Sequence, residues 1–227
     1  MSDELKLKKF QKKIDSFIKS NKATEKEIHA LRVATRELYS LLDSDKPFKK
    51  EIKKILKLSN NIRDIDVFLD IYLKFLPKEY RSKMNMENVV QLCHISRKTE
   101  VDIFYKYLKT LMISSSINMQ DAQYKVNLTK KIDLKFDKEV LHKYRIGIKK
   151  MLFKEKNALK QNKNKIKTLT EIKDILGEIN DKMNGVERLK DYGIEPALLL
   201  EIQNFTQEYN LKLFNKFQKI KTGEFLS

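Results

Sequence analysis

The chain has 227 residues, of which 41% are hydrophobic and 35% charged, with one cysteine and a formal net charge of +17 at pH 7. This length can bury a sizeable core, while a single cysteine excludes a disulfide framework and favours the cytoplasm. The sequence has no apolar run long enough for a membrane span and no secretory signal at its start. The charge predicts a polyanionic partner, although abundant lysine also follows from an AT-rich genome.

The predicted elements are all helical. Only five glycines and three prolines interrupt the sequence, and the apolar spacing is typical of helices, so we expect an all-α fold. A first helix is predicted over 3–20, and a second begins at a capping box of Thr24 and Glu27 and runs to about Leu42. Pro47 suits the first turn of a third helix, which Pro77 stops, and a fourth follows over about 88–111.

The weakly patterned segment 113–136 is interpreted as a connection between two halves. Beyond it, helices are predicted from about Asp137, over 167–190, and from Pro196 to about Lys221. We therefore expect one domain over 1–227, with an amino-terminal half over about 1–112 and a carboxyl-terminal half over about 137–227.

Two stretches repeat a line of histidine and cations. They read "EIHALRVATRELYS" (27–40) and "VLHKYRIGIKKMLF" (140–153). The matching residues are His29, Arg32 and Arg36 in the first stretch, and His142, Arg145 and Lys149 in the second. At about 100° per residue, each set falls within roughly 60° and forms one stripe on a helix. Guanidinium, ammonium and imidazole groups in a stripe predict anion recognition; the alternative is a solvated basic face with a satisfied core histidine.

A second motif follows each stripe. "LSNNIRD" (58–64) aligns with "ILGEIND" (175–181), and the two motifs occur in the same order in both halves, which indicates an internal repeat. We expect Asp64 and Asp181 to be structural, each pairing with a cation of the neighbouring histidine helix. Gly177 is interpreted as a close-packing position in its helix. Asp66 and Asp70 do not share one helix face with Asp64, and the sequence has no glycine-rich phosphate loop, so we expect no metal, no cofactor and no catalysis.

Together these motifs resemble the CHAD domain, the conserved histidine α-helical domain, over about residues 10–220. The resemblance rests on "HALRVATRELYSLL", "NNIRDIDVFLD", "LHKYRIGIKKMLF" and "EIKDILGEIND". It implies two four-helix bundles related by a pseudo-twofold repeat, with a basic groove between them that binds inorganic polyphosphate. It also implies a cytoplasmic protein, and some members of the family associate with polyphosphate or polyhydroxyalkanoate granules.

The resemblance assigns polyphosphate-binding residues in both halves. These are His29, Arg32, Arg36 and Arg63 in the first, and His142, Arg145, Lys149 and Lys150 in the second. The sequence departs from the family at Glu37, Tyr39 and Leu152, where a basic residue is usual. Lysines on the Asp-motif helices, such as Lys53, Lys54, Lys57 and Lys173, are candidates to replace the lost charge.

The expected function is therefore a stand-alone, non-catalytic polyphosphate-binding module. One alternative is a nonspecific binder of nucleic acid or other polyanions, which the charge explains but the repeated histidines do not. Another is a structural protein of a granule surface. An enzyme acting on polyphosphate is less favoured, because the sequence shows no convincing metal-carboxylate site.

Overall fold

The structure is a computed structural model, and it describes residues 3–39, 46–111, 137–156, 158 and 160–224. All regular secondary structure in these ranges is helical, which confirms the predicted all-α class. The helices are α1 (Asp3–Ser20), α2 (Glu25–Tyr39), α3 (Lys46–Val67), α4 (Leu73–Phe75), α5 (Lys78–Lys83), α6 (Met86–Thr110), α7 (Lys138–Lys156), α8 (Lys163–Asp191) and α9 (Pro196–Glu224). The predicted connection over 113–136 lies outside the described residues. Nowhere in the described ranges does a helix have both the length and the apolar character needed to cross a membrane.

Side-chain caps set the starts of several helices. The Glu27 amide donates to Thr24 Oγ1 at 3.3 Å, and the Thr24 amide donates to the Glu27 carboxylate at 2.9 Å. This reciprocal pair is the predicted capping box, and the bond from the Thr24 amide lowers the pKa of Glu27. Asn85 and Asn162 cap α6 and α8 with their side-chain oxygens. Local sequence therefore fixes these boundaries.

The third predicted helix is not α-helical along its whole length. It continues beyond α3 through a π-helical turn, Phe68–Tyr72, into α4, and it ends just before Pro77 as expected. The short helix α5 then follows, and the pattern did not predict it because six residues carry too little periodicity.

The chain divides into two compact units, over residues 1–71 with 85–123 and over 72–84 with 124–227. In the first unit α1 packs on α2, α2 on α3, and α3 on α6. Its core includes Phe10, Phe17, Ile52 and Phe104, and the Phe17 ring stacks on Tyr105 with centroids 4.8 Å apart. This unit presents α2 beside α3, which carry the first copies of the two motifs.

In the second unit α8 packs against both α7 and α9, around a core that includes Ile148, Ile172 and Phe217. This arrangement places the second copies of the two motifs on the neighbouring helices α7 and α8.

Residues 72–84 belong to the second unit although they precede α6 in the chain. The Tyr72 ring lies on Gly185 of α8, where an added Cβ would fall 2.2 Å from the ring. The Tyr72 hydroxyl lies 3.3 Å from the Thr206 hydroxyl, and burial raises the pKa of Tyr72 to about 12. The Phe75 ring packs against Phe205 of α9 at 5.2 Å. Gly185 therefore provides the space into which this segment docks.

We expect Gly185→Ala to destabilise the protein, because the new methyl group cannot coexist with the Tyr72 ring as it stands. Helix propensity alone favours Ala over Gly by about 1 kcal/mol, whereas overpacking costs about 1–3 kcal/mol. A net loss of stability in urea denaturation therefore identifies the steric conflict. The matched control is Asn184→Ala on the same helix, and a Gly185→Ala variant as stable as this control would contradict the packing.

Candidate functional site

The predicted stripe on α2 does not face solvent along its whole length. His29 and Arg36 are exposed, but Arg32 retains only 5% of its accessible surface. The helical wheel places the three residues in one sector, and the neighbouring helix α3 covers the middle one. The stripe is thus divided between the surface and the interior.

Arg32 uses its guanidinium group to join α2 to α3. Nη1 donates to the Ser59 carbonyl at 3.0 Å, and Nη2 donates to Asn60 Oδ1 at 2.8 Å. The Asn60 amide in turn donates to Asp64 Oδ2 at 2.7 Å, which orients it. Asp64 thus contacts the residue that accepts from Arg32, and its expected pairing with a cation of α2 stays a prediction. A buried cation needs such acceptors, and these residues supply them.

The other predicted cations of the first unit lie on α3. Lys53 and Lys57 are exposed, whereas Arg63 is half-buried and forms an ion pair with Glu25 at the start of α2. The Lys54 ammonium lies over the Tyr107 ring, 4.3 Å from its centroid. The positive charge that this unit presents to solvent thus includes Arg36 and the exposed lysines Lys53, Lys54 and Lys57.

In the second unit, the predicted stripe lies on α7. His142 is exposed, and Arg145, Lys149 and Lys150 are half-buried. The Arg145 guanidinium lies against Gly177 of α8, and its Nη2 is 3.0 Å from the point where a Cβ on Gly177 would be. The predicted close packing at Gly177 is therefore confirmed, and the group that approaches it is Arg145.

Arg145 has no protein acceptor comparable to those of Arg32. Its Nε is buried without a hydrogen-bond partner, and within the described ranges the guanidinium donates no hydrogen bond. Unsatisfied donors of this kind are rare in folded proteins and point to a role beyond packing.

The electrostatic surroundings of His142 are positive. Burial lowers its pKa from the ordinary 6.5, and the nearby charges of Arg145 and Lys149 lower it further. A hydrogen bond with Asn180 acts in the opposite direction. Asn180 also approaches the Asp181 carboxylate, at 3.4 Å. The neutral imidazole of His142 is therefore favoured.

The sequence interpretation missed three polar residues beside these helices. Asn60 and Asn180 lie within the Asp motifs, and their amides contact the stripes. Lys182 is only 4% exposed, and its ammonium lies 3.6 Å from the Phe75 ring centroid. Burial lowers the pKa of Lys182. Lys182 stands three residues after Ile179, on the apolar face of α8, and this position could have predicted its burial.

Two further features of the described residues concern their capacity to bind a polyanion or a metal ion. An open cleft of about 540 Å³ beside α8 is lined by both acids and bases, and its Lys216 forms an ion pair with Glu171 at 2.9 Å. Such mixed charge does not suit a polyanion. Across the described ranges, no group of three or more His, Cys, Asp or Glu side chains is arranged to hold a metal ion.

Comparison of the chain with protein-family models, with curated proteins and with solved structures found no match. The function must therefore be inferred from the residues and their geometry.

We expect Arg32→Met to lower the free energy of unfolding by about 1–3 kcal/mol, because it leaves the buried Ser59 carbonyl and the part-buried Asn60 amide oxygen without their donor. Arg36→Met, one turn along the same helix and exposed, is the control for loss of charge. Urea denaturation of the two variants measures the difference. Equal stability would mean that the bonds from Arg32 to α3 contribute nothing to folding.

Proposed function

We propose that the protein binds inorganic polyphosphate without catalysing its turnover. The observation that carries this proposal is the cluster of cations at His142: the leading charges that act on the imidazole, those of Arg145, Lys149 and Lys138, are all positive. With a net charge of +17 on the whole chain, such a cluster attracts anions and gains from binding them.

The spacing of the cations favours a chain of phosphates. Arg145 and Lys149 lie one helical turn apart, and residues at that spacing are separated by about 5–6 Å, which suits successive groups of an extended polyanion. Guanidinium groups pair with phosphate oxygens through parallel hydrogen bonds, and lysine adds point charge. The resemblance to the CHAD domain, which covers both stripes, names the same ligand.

An internal repeat is part of this proposal, and one pair of contacts supports it. Arg32 contacts Asn60, and Arg145 approaches Gly177. Arg32 and Arg145 are equivalent in the alignment, and Asn60 and Gly177 are too, since each stands four residues before the motif aspartate. A pseudo-twofold arrangement, a cytoplasmic location and association with polyphosphate or polyhydroxyalkanoate granules remain expectations from the resemblance.

We expect the triple variant of Arg36, Arg145 and Lys149 to Ala to lose more than about half of its binding free energy for long-chain polyphosphate. The matched control is the triple variant of Lys98, Lys106 and Lys109 to Ala, which removes as many charges from the exposed side of α6.

Titrations of both triple variants with long-chain polyphosphate at about 50 and 200 mM salt measure the loss of binding free energy and its dependence on salt concentration. Equal losses in the two variants, or equal affinity of the wild type for duplex DNA and heparin, would favour the nonspecific polyanion binder.

We also expect affinity for long-chain polyphosphate to rise as the pH falls from about 7.5 to about 5.5. The pKa of His142 lies below its ordinary value in the free protein, and a bound phosphate would raise it, so binding takes up a proton. Calorimetry in two buffers of different ionisation enthalpy measures this uptake. His142→Gln should reduce both the pH slope and the proton uptake, and an unchanged slope would show that this imidazole does not contact the ligand.

A further inference from the structure

The two copies of the His-x-x-Arg helix differ in what their arginine contacts. Arg32 donates to two acceptors on α3, the Ser59 carbonyl and the Asn60 side chain. Arg145 lies against α8 at the equivalent position, but it donates no hydrogen bond to a described residue and its Nε is buried without a partner. The same residue type at the same place in the motif is thus satisfied in one unit and unsatisfied in the other.

One of the two acceptors differs because of a single residue on the facing helix. Asn60 and Gly177 occupy equivalent positions, and Asn60 supplies the acceptor for Arg32 Nη2 at 2.8 Å. Gly177 has no side chain, and Arg145 Nη2 lies 3.0 Å from the point that a Cβ on residue 177 would occupy. An asparagine at 177 would both fill that space and offer an acceptor to the guanidinium.

A guanidinium has five N–H donors and no means of losing its charge, so its donors require acceptors from protein, water or ligand. Arg32 obtains them from protein and is 5% exposed, which leaves little surface for a ligand. Arg145 is half-buried and lies beside His142. The pKa of His142 is lowered first by burial and then by the charge of Arg145. Of the two arginines, Arg145 is the one that an external oxyanion can satisfy.

We propose that Gly177 is a specificity-determining residue that keeps Arg145 available for a phosphoryl group, whereas Asn60 withdraws Arg32 from that role. Recognition is therefore concentrated on α7 and α8, and a short phosphate chain such as triphosphate binds once per protein chain. This inference rests on the proposed function, and it states which copy of the motif binds.

The decisive variant is Gly177→Asn, which leaves every charge unchanged. Calorimetry with triphosphate should show one site in the wild type and an affinity at least about tenfold lower in the variant, the size of one charge-assisted hydrogen bond. Thermal unfolding should show no loss of stability, because the variant gains a hydrogen bond and a better helix former than glycine. Gly177→Ala, which fills the space without adding an acceptor, should give a smaller loss of affinity.

Arg145→Met tests the same guanidinium without changing residue 177. It should reduce triphosphate affinity at least as much as Gly177→Asn, and the double variant should bind no more weakly than Arg145→Met alone, since both changes act on one guanidinium. Asn60→Ala should leave triphosphate affinity within about twofold of the wild type.

Three outcomes would overturn the inference. Wild-type affinity in Gly177→Asn would show that Gly177 does not govern Arg145, and additive losses in the double variant would show that the two residues act independently. In either case binding of long-chain polyphosphate by the wild type leaves the proposed function intact. Absence of binding to both triphosphate and long-chain polyphosphate in the wild type would instead overturn the proposed function and this inference together.

Discussion

The buried guanidinium of Arg32 is the constraint on which the packing of α2 against α3 depends. A charged group with 5% exposure is stable only where acceptors surround it, and α3 provides the Ser59 carbonyl and the Asn60 amide oxygen. The Ser59 hydroxyl is itself satisfied by the Ile55 carbonyl at 2.8 Å, and Asp64 orients Asn60. Polar residues of a motif that suggests ligand binding thus hold two helices in register.

The second unit has the same arginine without the same acceptors, and this contrast connects the fold to the proposed function. Among the described residues Arg145 Nε has no hydrogen-bond partner, and the guanidinium lies close to Gly177. Partial burial lowers the pKa of His142, and the charge of Arg145 lowers it further. An oxyanion placed there would relieve both conditions at once, by accepting hydrogen bonds and by offsetting positive charge. The proposed function therefore assigns the motif on α2 to stabilising the fold and the motif on α7 to binding.

Helix type and most helix boundaries could be predicted because local signals determine them: apolar spacing, the capping box at Thr24, and prolines at the turns. The π-helical turn at Phe68–Tyr72 and the docking of Tyr72 on Gly185 could not, since both depend on packing between residues far apart in the chain. The helical wheel grouped the stripe residues correctly in angle, but angle does not reveal which helix covers a residue. The burial of Arg32 depends on α3, so only the structure could separate it from Arg145.

The most direct measurement is a crystal structure of the protein soaked with selenate, whose selenium can be located by anomalous scattering. Selenate reproduces the tetrahedral oxyanion of a phosphoryl group and needs no chain length to be assumed. We expect a selenium peak with oxygens within hydrogen-bonding distance of the Arg145 guanidinium and close to His142, and none at Arg32. Selenate bound at Arg32, or only at exposed lysines such as Lys98, would contradict the assignment of the anion site to α7 and α8.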